Sequence, residues 1–154
     1  TQHALWRLER QRLEALAKPA AGRAAPKLVV LMIGTNNSNG ADNTAQEIAD
    51  GITAVVRSLR TRLPEARVLI LGIFPRGAKP DEQRGKNAQA SALAAKIADG
   101  KMVRYLDIGP KFLADDSTLT TDIMPDLLHL SPIAYGIWAE SIEPLVAELM
   151  GEKR

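Results

Sequence analysis

The stretch MPDLLHLSP, residues 124–132, places a carboxylate three residues before an imidazole. A single turn would bring Asp126 into contact with His129. A carboxylate in that position fixes the imidazole tautomer and stabilises its protonated form, which is what a histidine acting as a general base in a hydrolase requires. The same spacing fits equally well an Asp–His contact that caps the next helix.

A second polar stretch, GTNNSNG, follows the apolar run KLVVLMI. Gly34 permits a sharp turn at the end of a strand. The amide of Asn36 can donate a hydrogen bond to an oxyanion, a contact typically worth about 10²–10³ in rate. An ordinary polar turn would use the same residue types. A phosphate-binding loop is a weaker alternative, because neither GxxxxGK[ST] nor GxGxxG occurs.

The chain offers no evident nucleophile for such a base. It contains no cysteine, which excludes a cysteine nucleophile, disulfides and thiolate metal sites. Among the six serines, Ser131 is nearest to His129 in sequence but has the context of a helix N-cap. Ser38 lies in the GTNN loop and is a mild, unfavoured candidate. The other histidine, His3, is predicted to be a surface residue of the first helix.

Three apolar runs must position these groups: KLVVLMI (27–33), RVLILGIF (67–74) and MVRYLDI (102–108). The first two are nearly continuous in Val, Ile and Leu, which is typical of parallel strands buried on both faces. Helical patterns alternate with them and predict the order α-β-α-β-α-β-loop-α, an α/β protein with a parallel sheet. Ligand sites in such sheets lie beyond the carboxyl ends of the strands. GTNN, PRGAKP (75–80) and the connection 109–130 all follow those ends.

Helix boundary signals support this order. Thr44 and Glu47 have the spacing of a capping box at the start of the second long helix. A further helix is predicted over residues 81–99. Ser131 and Pro132 are good N-cap and N1 residues for the last helix.

Composition predicts one soluble globular domain over residues 1–154, with 45% hydrophobic and 25% charged residues and a net charge of +2. No apolar run is long enough to span a membrane. The densest basic group is interpreted as a solvated face near a helix C-terminus, where cations suit the helix dipole. Nucleic-acid binding is the weaker alternative, because no aromatic residues interleave with that group. This basic group comprises Arg57, Arg60, Arg62 and Arg67.

Taken in order, strand–GTNN, strand–FPRG, strand–D and DLLHLS before a C-terminal helix resemble the SGNH (GDSL-type) hydrolase superfamily, and most closely its platelet-activating-factor acetylhydrolase-like branch. The resemblance implies a three-layer α/β/α, flavodoxin-like fold. It also implies ester hydrolysis by a Ser-His-Asp triad without a cofactor or metal. By matching motif positions, His129 would be the general base, Asp126 its orienting acid and Asn36 the oxyanion asparagine. Thr35 and Leu128 directly precede two of these residues and are candidates to line a small acyl pocket.

One part of the family pattern is missing. The nucleophilic serine belongs to a Gly-Asp-Ser block on the family's first strand, and a glycine in the next block is the second oxyanion donor. Both precede a segment that resembles TQHALWRL, residues 1–8. The chain is therefore interpreted as the C-terminal portion of an SGNH domain, with its N-terminal strands and serine outside it. A three-stranded sheet with an open apolar edge and a start without methionine or leader fit this interpretation.

Two functions follow from these observations. The first is a serine esterase that hydrolyses short-chain, acetyl-like esters of a lipid or carbohydrate, with the missing N-terminal segment of the same domain as its partner. The second is a truncated, inactive SGNH-fold subunit that acts as a binding module. The alcohol of the substrate, the compartment (cytoplasm or secretion) and the oligomeric state, with a homodimer among the options, stay open at this point.

Overall fold

The structure is a computed structural model that describes residues 1–10, 13–18, 21 and 23–151. Its strands lie within the three predicted apolar runs and are shorter than those runs. The longer elements are α1 (Gln2–Arg10), α2 (Glu14–Ala17), β1 (Leu28–Leu31), α3 (Ala45–Arg62), β2 (Arg67–Leu71), α4 (Glu82–Ala94), β3 (Val103–Leu106) and α5 (Pro132–Met150).

The strands form one parallel sheet in the order β1-β2-β3. Leu28 pairs with Arg67, and Val68 pairs with Val103. β2 is central and is buried along almost its whole length, as its unbroken apolar sequence predicts.

Alternate residues of β2 face two separate cores. Val68 and Ile70 pack in a cluster with α1, α3 and α4. Leu69 and Leu71 pack on the opposite face against α5 and the connection that precedes it. Because successive strand residues point to opposite faces, one apolar strand supports helices on both sides of the sheet. The predicted three-layer α/β/α arrangement is confirmed.

The predicted caps of two helices are also confirmed. At the start of α3, Thr44 Oγ1 accepts from the Glu47 N–H at 3.2 Å, and the Thr44 N–H donates to Glu47 Oε2 at 2.7 Å. At the start of α5, Ser131 Oγ accepts from the Ala134 N–H at 3.2 Å. These bonds satisfy backbone donors that the helices leave unpaired.

The helix predicted over residues 81–99 is shorter in the structure. Asp81 is its N-cap, and α4 gives way after Ala94 to a short 3₁₀ turn. The backbone becomes extended at Ala98, directly after that turn. Asp99 organises the tight turn into β3, because its Oδ1 accepts from three backbone N–H groups of residues 101–103.

β1 is an edge strand within the part of the chain that the structure describes. It pairs with β2 on one side, and Val30 is 39% exposed on the strand. An exposed apolar edge of this kind is a site where another strand can add. That further strands of the domain occupy it stays a prediction.

No helix among the described residues is both long and apolar enough to cross a membrane.

Candidate active site

The turn before α5 brings Asp126 and His129 together. His129 Nδ1 lies 2.6 Å from Asp126 Oδ2, while Asp126 Oδ1 accepts from the backbone N–H of His129 at 2.7 Å and of Leu128 at 3.0 Å. Leu127, inside this turn, has a left-handed φ of 59°. A non-glycine residue in that region is uncommon and is held there by its surroundings.

The Asp126–His129 pair does not cap α5. Ser131 fills that role, since its side chain accepts from the Ala134 N–H. The capping interpretation of the pair is therefore wrong, and the contact is available to orient the imidazole.

The pKa of Asp126 is lowered from 3.8 to about 2, first by the hydrogen bond with the His129 ring and next by the His129 backbone N–H. Because the folded-state pKa is the lower one, the contact stabilises the fold fully above the ordinary pKa and is lost as the pH falls through about 2. At neutral pH the carboxylate is ionised and can only accept. The contact therefore favours a proton on His129 Nδ1, and in the neutral form of the ring this makes Nε2 an acceptor.

The imidazole of His129 is 79% exposed and borders a small hollow of about 120 Å³. Thr35 and Leu128 line the same hollow, so three of the five predicted site residues meet there. The remaining wall is mostly apolar and comes from the segments after β1 and β2, from the end of the connection before α5 and from the first turns of α5. It comprises Met32, Phe74, Pro75, Leu130, Tyr135 and Trp138.

Asn36 follows Thr35 directly in sequence but does not line the hollow beside His129. It belongs to a short 3₁₀ helix after β1, is exposed, and makes no side-chain hydrogen bond to the described residues. It lines a larger hollow, about 490 Å³, which shares Thr35 and Met32 with the hollow beside His129. Gly34 makes the turn possible: its φ is 126°, and a Cβ there would lie 2.7 Å from Ile73 Cδ1.

The two serines considered from sequence are tied into the fold. Ser38 is 1% exposed, and its Oγ donates to the Thr35 carbonyl at 2.8 Å and accepts from Gln83 Nε2 at 3.1 Å. Ser131 is the N-cap of α5. Neither serine lines the hollow beside His129. That the nucleophile lies outside this chain stays a prediction.

Sequence reasoning missed most of the apolar wall beside His129. Met32 directly follows β1 and Phe74 lies three residues after β2, so the rule that sites lie at the carboxyl ends of strands could have found them, as it did the loop 75–80 that begins with Pro75. The helical periodicity of residues 138–149 by itself places Trp138 on the buried face of the last helix. It does pack edge-on against Phe74 with ring centroids 5.1 Å apart, and it also borders the hollow. Periodicity does not separate these two roles.

The fold and the site define a class of protein: an α/β/α protein with a histidine–aspartate pair at the carboxyl edge of a parallel sheet, as in the SGNH hydrolases. The sequence profile of the GDSL-like lipase/acylhydrolase family matches residues 4–137. The chain belongs to this family.

Similar proteins support the acetylhydrolase-like branch. The chain is 38% identical over 153 residues to platelet-activating factor acetylhydrolase IB subunit alpha2 of Gallus gallus. It is 37% identical over 153 residues to subunit alpha1 of Homo sapiens. Each alignment covers 99% of this chain and 62% of the relative, so the chain spans less than two thirds of these proteins.

Solved structures show the same fold. A carbohydrate acetylesterase from Sinorhizobium meliloti superposes with a TM-score of 0.66 at 24% identity, covering 94% of this chain and 67% of that one. A carbohydrate esterase family 3 protein from Talaromyces cellulolyticus gives 0.63 at 18% identity, covering 97% and 69%. The predicted SGNH fold class is confirmed by these likenesses.

Proposed function

We propose that the protein carrying this chain is a serine esterase of the SGNH type that hydrolyses short-chain, acetyl-like esters of a lipid or carbohydrate. The observation that carries the proposal is the 2.6 Å contact between Asp126 and the exposed His129 ring. Membership in an acylhydrolase family supports it, as do relatives named as platelet-activating factor acetylhydrolase subunits and a carbohydrate acetylesterase.

In the proposed mechanism, a serine supplied from outside this chain attacks the ester carbonyl. His129 Nε2 takes the serine proton and passes it to the leaving alcohol as the acyl-enzyme forms. Asp126 holds the ring and stabilises its charged form. Water, activated by the same nitrogen, then attacks the acyl-enzyme and releases the acid and the free serine.

Asn36 is proposed as an oxyanion donor. Its amide is free of hydrogen bonds to the described residues and sits on the loop next to the hollow beside His129. We expect Asn36→Ala to lower kcat for p-nitrophenyl acetate by about 10²–10³-fold, because the donor acts on charge that develops in the transition state. Steady-state kinetics of the natural protein measure this. A rise in KM with unchanged kcat would contradict the assignment.

Thr35 and Leu128 are proposed to hold the acyl group. Their hollow is small, about 120 Å³, and its walls are mostly apolar, which suits a short acyl group such as acetyl better than a long acyl chain.

The proposed activity is tested with the intact natural protein. We expect a fluorophosphonate probe to label one serine, and p-nitrophenyl acetate to be hydrolysed with a higher kcat/KM than p-nitrophenyl octanoate, because of the small hollow. Label and turnover should disappear together after heat denaturation. Absence of both from the folded protein would contradict the esterase.

That negative result would favour the second candidate, an inactive SGNH-fold binding module. The observation behind it is the unpaired apolar edge of β1 among the described residues, where a partner could add a strand.

A further inference from the structure

Arg84 is an unusual residue of this fold, because it is charged, buried and unpaired with any carboxylate in the described part of the chain. It lies on α4, is 9% exposed, and is the one charged side chain among the buried polar residues that the structure describes. Burying a charge is costly, and an apolar side chain of similar volume is often as good or better for stability alone. A role in packing therefore accounts poorly for an arginine here.

The guanidinium group is bound by three backbone carbonyls. Nε donates to the Arg76 carbonyl at 3.2 Å, Nη2 to the Gly77 carbonyl at 2.6 Å, and Nη1 to the Ser117 carbonyl at 2.6 Å. The first two acceptors belong to the loop after β2, and the third to the connection after β3. The rigid, planar fork of an arginine can fix several acceptors at once, which the single point charge of a lysine cannot.

A second set of contacts leads from this loop to the histidine–aspartate pair. Gly77 donates its N–H to the Leu127 carbonyl at 2.9 Å. Leu127 is the left-handed residue between Asp126 and Leu128, and its conformation lets the aspartate reach the His129 ring. The contacts therefore run from Arg84 through Gly77 and Leu127 to the pair.

We propose that Arg84 is a positioning residue for His129, acting through Gly77 and the Leu127 turn. The proposal rests on the proposed function, since it concerns the base of that reaction. It adds a residue of α4, on the opposite side of the sheet from α5, to the set that determines activity.

The test compares Arg84→Lys and Arg84→Met in the intact natural protein with Arg57→Met, an exposed arginine of α3 outside these contacts. We expect kcat/KM for p-nitrophenyl acetate to fall about 10–100-fold in Arg84→Met, the range typical of residues that orient a reacting group. Arg84→Lys should recover only part of the loss. Arg57→Met should match the wild type. If Arg84→Met fails to fold, Arg84→Lys decides the result.

Two measurements distinguish positioning from a structural role. The short Nδ1–H···Oδ2 hydrogen bond of His129 should give a downfield proton resonance, which is identified by its loss in His129→Ala. We expect this resonance to weaken or disappear in Arg84→Lys. In a double-mutant cycle, Arg84→Lys should have little further effect on kcat/KM once Asp126 is asparagine, because both changes act through the same contact.

Wild-type kinetics and an unchanged imidazole resonance in folded Arg84→Lys and Arg84→Met would overturn the inference, as would fully additive effects in the cycle. Failure of the proposed function looks different. In that case His129→Ala keeps its activity or the wild type has none, whatever the Arg84 variants do.

Discussion

Replacing His129 by alanine is expected to lower kcat/KM for p-nitrophenyl acetate by about 10²–10⁴-fold, the usual contribution of a positioned general base. The physical reason is that no other imidazole lines the hollow with Thr35 and Leu128. Without Nε2, the serine must lose its proton to water. The measurement is steady-state kinetics of the intact natural protein, with thermal unfolding to show that the variant is folded.

Asp122→Ala is the control for this variant. Asp122 is an exposed residue of the same connection and does not line the hollow beside His129. We expect its kinetics to match the wild type. Undiminished turnover in folded His129→Ala would remove the base from the proposed mechanism, and equal losses in both variants would attribute the effect to the loop rather than to the ring.

Replacing Asp126 by asparagine is expected to lower kcat by up to about 10⁴-fold, the size typical when an orienting aspartate of a triad becomes an amide, and by no more than the loss of His129 itself, because Asp126 acts through that ring. The amide NH₂ of asparagine would donate to Nδ1, so the ring proton would move to Nε2. The nitrogen that must accept the serine proton would then already carry one. The amide oxygen can still accept from the backbone N–H groups of Leu128 and His129, so the turn should survive.

Asp122→Asn is the matched control for this change, because it removes the same charge from an exposed aspartate of the same connection. We expect wild-type kcat from it. A folded Asp126→Asn protein with kcat within a few-fold of the wild type would show that the aspartate does not set the tautomer, even if His129 is the base.

The elements of the fold were predictable where the pattern and the physics agree. The apolar sequence of β2 demands burial on both faces, and the caps at Thr44 and Ser131 are local signals that need no tertiary information. The end of α4 was mispredicted because residues 95–97 continue the helix only as a tighter 3₁₀ turn, a change that the residue pattern does not show.

The site was predictable to a similar depth. Asp126 and His129 are neighbours in sequence, so their contact needed only a turn. The family motif and the strand-end rule then placed Thr35 and Asn36 on the same edge of the sheet. By contrast, Arg84 and Trp138 contribute through contacts with residues that are distant in sequence. The residues next to them in the sequence do not show which groups their side chains contact.

The parallel sheet has a consequence for how the chain folds. Each pair of neighbouring strands is joined by a crossover that contains a long helix, as the partners Leu28–Arg67 and Val68–Val103 show. No hairpin joins the three strands that the structure describes, so each of their pairings must close a long loop before its contacts repay the lost chain entropy. Helix α3, with its capping box and local hydrogen bonds, can form far sooner than any strand pair. We therefore expect the helices to form first and the edge that bears the histidine–aspartate pair to be assembled late, when both crossovers have closed.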